Sequence, residues 1–150
     1  MQIDITLLRG QEVGTTLNIT ESQQTATLGD LAAHNLSVAA EVVALEDSWV
    51  IRGTVNAEME LECSRCLVTY REQVATPFEA TFAVRTDEDA FQTDGATLEL
   101  ATPLREALLL AIPLAPLHDP DCLGLCVVCG KDLNEEPHDH ASATPEKTVD

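Results

Sequence analysis

The sequence predicts an α+β fold: an antiparallel, partly barrel-like β-sheet, one main helix and a zinc-knuckle C-terminal segment. Three observations carry that prediction. Residues 49–62 alternate at a period of two, with Ile51, Gly53, Val55, Ala57, Met59 and Leu61 on one face and Arg52, Thr54, Asn56, Glu58 and Glu60 on the other. Thr102-Pro103 opens a stretch in which Leu104, Leu108 and Ile112 recur at helical spacing. Five cysteines and three of the four histidines fall into three clusters: Cys63-x2-Cys66, His118-x3-Cys122-x3-Cys126-x2-Cys129 and His138-x-His140.

Taken in order, Ile3, Ile5 and Leu7 against Asp4, Thr6 and Leu8 predict a first strand. A short second strand is predicted over 15–19, and a Val- and Ala-rich third over 36–45. The strand over 49–62 runs straight into Cys63-Ser64-Arg65-Cys66, which must then be the turn of a hairpin. Residues 67–75 return as its partner, and 78–85 supply another strand. Asp87, Glu88, Asp89 and Asp94 mark 86–94 as a solvated loop, and 97–100 reads as a short strand. Thr102 is the expected helix N-cap, Pro103 the first helical residue, and Pro113, which has no N–H to donate, the end. From Ala141 onward the chain is small, polar and Pro-containing, and disorder is expected. The boundaries that follow are a β-rich core with its helix over 1–117, a metal-binding segment over 118–140 packed on that core, and the tail over 141–150.

Composition narrows the function. The 150 residues are 45% hydrophobic, enough for a core that does not depend on metal. Eight Lys+Arg against 26 Asp+Glu give a formal net charge of -18. Arg9, Arg52, Arg65, Arg71, Arg85, Arg105, Lys131 and Lys147 are scattered, without the clustering that neutralises phosphates. Sequence-independent binding of nucleic acid is disfavoured, and a basic protein partner is favoured. The plain alternative is that the charge serves solubility. No basic start precedes a long apolar run, and the longest apolar window, 107–117, is broken by Pro113 and Pro116. A cytoplasmic protein with no membrane segment is therefore expected. In that compartment clustered thiols are ligands or redox groups more often than disulfides.

Two thiolates from one C-x2-C turn can hold a zinc ion at about 2.3 Å. Eight candidate ligands make two tetrahedral sets: Cys63, Cys66, His118 and Cys122 in one, Cys126, Cys129, His138 and His140 in the other. The rival partition puts both C-x2-C pairs on a single zinc, so one or two Zn2+ per chain are expected. His138-Asp139-His140 also reads as an acidic tail that binds stray metal. Gly130, directly after the second pair, allows the positive φ that turns backbone N–H groups toward thiolates, and Lys131 can offset their charge. A redox C-x2-C opens a helix, which lowers the first thiol's pKa; Cys63 is followed by a β-type segment instead. Buried free thiols are the remaining reading of that pair. Arg65 and Arg71 flank it, where they could meet a phosphate or simply form a solvated face, and the lone His34 reads as a surface or capping residue. No nucleophile–base pair stands out, and a catalytic zinc needs an open position that two closed sets do not leave. No enzyme is expected.

Three blocks, Leu61-Glu62-Cys63-Ser64-Arg65-Cys66-Leu67, residues 100–117 (LATPLREALLLAIPLAPL) and residues 121–134 (DCLGLCVVCGKDLN), resemble the YceD family, the large ribosomal RNA subunit accumulation proteins. The resemblance covers most of 1–140, with little from the first 45 residues. It implies a role in accumulation or processing of large-subunit ribosomal RNA, with a ribosomal protein or the pre-ribosomal large subunit as partner, and it supplies no catalytic residue. Many cysteine-rich relatives carry C-x-C where His138-Asp139-His140 stands, and some carry cysteine where His118 stands. Replacement of one zinc ligand by another is what a retained site tolerates. The competing expectation is a thiol redox or metal-handling protein.

Overall fold

Within the computed structural model, which describes residues 1–140, seven strands, one 3-10 turn and one helix follow one another. They are β1 (Gln2–Asp4), the turn Thr6–Leu8, β2 (Thr16–Leu28), β3 (Leu31–Ala44), β4 (Ser48–Glu62), β5 (Thr69–Ala83), β6 (Phe91–Gln92), β7 (Thr97–Glu99) and α1 (Ala101–Ala111). The tail expected over 141–150 lies outside the described residues. β1 pairs antiparallel with β7, and a second sheet runs in the order β2-β3-β4-β5-β6. The β2–β3 and β3–β4 pairs are antiparallel and the short β5–β6 pair is parallel. The α+β class and the helix stand, but no closed barrel forms among the described residues. The chain divides into two units, Met1–Glu60 with Arg71–Pro113, and Leu61–Tyr70 with the chain from Leu114 onward.

In the first unit the alternation of β4 buries Ile51, Val55, Ala57 and Met59 as its pattern predicts. β3 needs one correction of phase. Ala33 is buried, then Leu36, Val38, Ala40, Val42 and Ala44, so the inward set switches from odd to even positions. A register shift between His34 and Ser37 makes the switch, with Asn35 at φ 48 taking up the extra residue. Asn tolerates that left-handed conformation better than most residues, and a bulge re-aims every side chain beyond it. His34 therefore lies in a strand beside the bulge, half-buried, and is not a cap.

Several sequence expectations are overturned. The first strand stops at Asp4, because the chain turns at Thr6–Leu8 and leaves Leu7 exposed while Leu8 is buried. The strands expected over 67–75 and 78–85 are one continuous β5. Pro77 lies within it, in a stretch that β6 does not reach, since β6 meets β5 only at Phe82 and Ala83. The loop expected over 86–94 contains β6, held by Phe91 against Phe82 with ring centroids 5.5 Å apart. Thr102 does not cap the helix. α1 starts at Ala101, whose N–H donates to Glu99 Oε1 at 3.1 Å, so Pro103 sits among the first residues whose N–H groups have no intrahelical partner. Ile112 then turns extended (φ -70, ψ 129) ahead of Pro113, as a pre-proline residue must. Leu104 and Leu108 are fully buried, and Arg105 binds Asp30 at 2.6 Å.

Candidate metal centres

The second unit buries few large apolar side chains among its described residues and is organised around two turns of the same build. In the first, the Leu67 N–H donates to the Cys63 carbonyl at 2.9 Å and the Cys63 N–H to the Val68 carbonyl at 2.9 Å. In the second, the Gly130 N–H donates to the Cys126 carbonyl at 2.8 Å and the Cys126 N–H to the Lys131 carbonyl at 2.8 Å. The residue after each second cysteine is left-handed, Leu67 at φ 62 and Gly130 at φ 74. Glycine does this without strain, whereas leucine pays about 1–2 kcal/mol. Leu67→Gly should therefore stabilise the protein by about 1 kcal/mol, read as a higher midpoint of chemical unfolding; a lower midpoint would mean that the Leu67 side chain contributes more than its backbone strain costs.

Around the first turn, Cys63, Cys66, His118 and Cys122 bring one ligand atom each to within 4.8 Å of one another. Cys63 Sγ lies 3.8 Å from Cys122 Sγ, and Cys66 Sγ lies 3.4 Å from His118 Nδ1. A tetrahedral zinc with ordinary bond lengths has S···S edges of about 3.8 Å and S···N edges of about 3.5 Å, so the four atoms fit that ion. The three cysteines are buried under Tyr70, Leu117 and Leu125, while His118 is exposed and stands edge-on to Tyr70. Burial alone would raise the Cys63 thiol, but the backbone N–H of Cys66, the His118 side chain and other nearby backbone N–H groups hold it down to about 5. Burial pushes the Cys66 thiol up to about 11, and the adjacent Cys63 and Cys122 sulfurs add to the rise. One thiolate is favoured and a second resisted, which is the imbalance a bound cation removes.

Cys126, Cys129, His138 and His140 form the other cluster, also within 4.8 Å. Cys129 Sγ is 3.2 Å from His138 Nε2, and the two imidazoles meet edge-on at 4.8 Å. Backbone N–H groups of Cys129 and Val128 hold the Cys126 thiol down to about 6 against the effect of burial. The Glu136 carbonyl on Nδ1 raises His138 and points its other nitrogen at the thiols. This cluster is more open: only Cys126 is buried, and Cys129 and His140 are exposed. The two C-x2-C pairs thus stand in separate clusters, one with His118 and the other with His138 and His140, and each could hold a metal ion.

Three residues support the first centre from outside it, and two of them, Gly124 and Asn134, have no role in the sequence reading. Arg65 is exposed, yet its Nη1 donates to the Cys122 carbonyl at 2.8 Å, and its own carbonyl accepts the Leu125 N–H at 3.1 Å. Gly124 (φ 78) lies against Arg65, where a Cβ would come 3.1 Å from the Arg65 carbonyl oxygen. Asn134 receives the Leu123 N–H at 2.9 Å and donates to Cys122 Sγ at 3.4 Å, the kind of outer contact that orients a ligand. Its place in the block ending KDLN was the only available signal. Lys131 binds Glu136 at 2.7 Å, and Arg71 binds Glu58 at 3.0 Å.

A family model described as Large ribosomal RNA subunit accumulation protein YceD matches residues 51–148, a stretch that includes both turns and all eight clustered ligands. The chain belongs to the YceD family. Among curated proteins, an uncharacterized protein of Mycobacterium leprae (strain TN) is 37% identical over 115 residues, 69% of this chain and 52% of the relative. An uncharacterized protein of Mycobacterium tuberculosis (strain ATCC 25618 / H37Rv) is 33% identical over 113 residues, 69% of this chain and 55% of the relative. The chain spans about half the length of these curated relatives. No solved structure matches. No helix among the described residues is long and apolar enough to cross a membrane.

Proposed function

We propose that this chain is a non-catalytic, cytoplasmic assembly factor that supports accumulation of large-subunit ribosomal RNA through a basic ribosomal protein. In this reading its C-terminal segment is braced by two structural zinc ions, one on Cys63, Cys66, His118 and Cys122, the other on Cys126, Cys129, His138 and His140. The observation that carries the function is the family match over 51–148. Four protein ligands at each centre fill every position of a tetrahedral zinc, which suits bracing and leaves none for an activated water. The metal would supply folding free energy, and the protein's own groups would set its place: Arg65 and Asn134 fix Cys122, and the Glu136 carbonyl fixes the His138 ring.

Protein is favoured over naked RNA as the partner by charge. Net charge is -18, and of the seven cationic side chains among the described residues Arg65, Arg71, Arg105 and Lys131 are already committed to carbonyls or carboxylates. A pulldown with the purified zinc-loaded chain should capture ribosomal proteins at low salt and release them as salt rises. Tight binding to naked ribosomal RNA with no protein present would sink the reading. Metal analysis should give two zinc ions per chain, and alkylation of the thiols should wait for a chelator; thiols that react at once and cycle with thioredoxin would favour a redox protein instead.

A further inference from the structure

We propose that the apolar tip of the second turn is a docking surface for a short basic protein segment carrying an aliphatic side chain. This rests on the assembly-factor reading above and names the face that would serve it. Val127 is 100% exposed, Val128 62% and Leu123 60%, and with Leu125, Leu133 and Asp139 these side chains wall a hollow of about 400 Å³ that opens beside the second centre, whose Cys126, His138 and His140 form part of its lining. The first turn, built on the same hydrogen bonds, carries Ser64 and Arg65 at the two corresponding positions. The turn itself therefore does not require valines there. Two adjacent β-branched apolar residues beside a hollow form a face that a partner could cover.

Charge selects the partner. Asp139 lines the hollow, and Asp132, Glu135 and Glu136 line the neighbouring one, with Lys131 as the lone cation, already bound to Glu136. A zinc held by two thiolates and two neutral imidazoles has no net charge, so metal loading leaves this field intact. Such a surface repels phosphate and repels a second copy of this chain, and it attracts lysine and arginine. An aliphatic side chain between those cations would enter the hollow, and the cations would meet its acidic surroundings.

The test uses the full zinc-loaded chain and a labelled peptide, Lys-Arg-Leu-Lys-Arg-Leu-Lys-Arg, with a counterpart in which serine replaces leucine. The leucine peptide should bind about tenfold tighter than the serine peptide, in line with burial of one aliphatic group. V127S/V128S, which changes only two exposed side chains and keeps the backbone N–H groups of the turn, should erase that difference, with zinc content measured on the same sample. Equal binding of both peptides, or a difference that survives V127S/V128S, would overturn the proposal. So would direct binding of a ribosomal RNA fragment to the chain that V127S/V128S abolishes, or a dimer in sedimentation that V127S/V128S dissolves. A ribosomal-protein pulldown undiminished by V127S/V128S would remove the docking surface and leave the assembly role standing. Selective peptide binding with no ribosomal protein captured would do the reverse.

Discussion

Cys122→Ser should empty the first centre and loosen the second unit while the strands of the first unit stay folded. Cys122 is 3% exposed, meets Cys63 Sγ at 3.8 Å and receives the Asn134 amide, so its loss opens the buried cluster from inside. Structural zinc in small sites contributes about 10–16 kcal/mol at neutral pH, far more than the side chains gathered around Cys63, Cys66 and Cys122 supply. Zinc content should fall from two to one. Amide exchange should quicken through 61–70 and 114–134, while β2, β3 and the centre of β4 keep their protection. Cys129→Ser, in the more open cluster, should also cost one zinc but leave 61–70 protected. Chelation of the unaltered chain should follow the same order, with the open cluster stripped first. Two zinc ions retained in Cys122→Ser, or simultaneous release of both by chelator, would refute this account.

Gly53→Ala should be among the most damaging single-methyl changes in the first unit. Gly53 pairs with Ala40, and a Cβ on it would lie 2.2 Å from the Ala39 carbonyl oxygen and 2.5 Å from the Ala40 Cβ. Both obstacles are backbone or the first atom of a side chain, so no rotamer relieves them. Glycine at this position is what lets β3 and β4 approach so closely. Strain of this kind costs about 3 kcal/mol, which lowers the melting temperature by on the order of 10 °C in a unit of this size. Thr54→Ala, one residue on and exposed, should shift it within about 0.5 kcal/mol. A near-neutral Gly53→Ala would mean that the strands part without penalty.

These cases also mark where the chain was readable. The β4 pattern was plain because its apolar face is uninterrupted, yet Gly53 within it looked like one more small residue; its importance comes from a carbonyl on the opposite strand. β2 was read as five residues instead of thirteen because only Ala26 and Leu28 in it are buried. A strand polar on both faces has no period to detect. β3 was read only from Leu36, since the bulge at Asn35 breaks its phase. The helix start was displaced because a carboxylate upstream, Glu99, did the work expected of Thr102. Of the metal-type residues, cysteine and histidine spacing was informative by itself. Leu67 was not, because nothing in its identity announces a left-handed backbone; only comparison with Gly130 in the matching turn does.

The two clusters differ in how far along the chain they reach. Cys63 and Cys122 are 59 residues apart, whereas Cys129 and His138 are separated by nine. Closing the longer span costs about 1.7 kcal/mol more in chain entropy, and everything from β5 through α1 must be laid down between its two halves. The shorter set can gather its ion from a chain that is still largely unfolded. A cation at the longer one then acts as a clasp, tying together segments that were made far apart in time and holding the intervening strands and helix in a closed circuit.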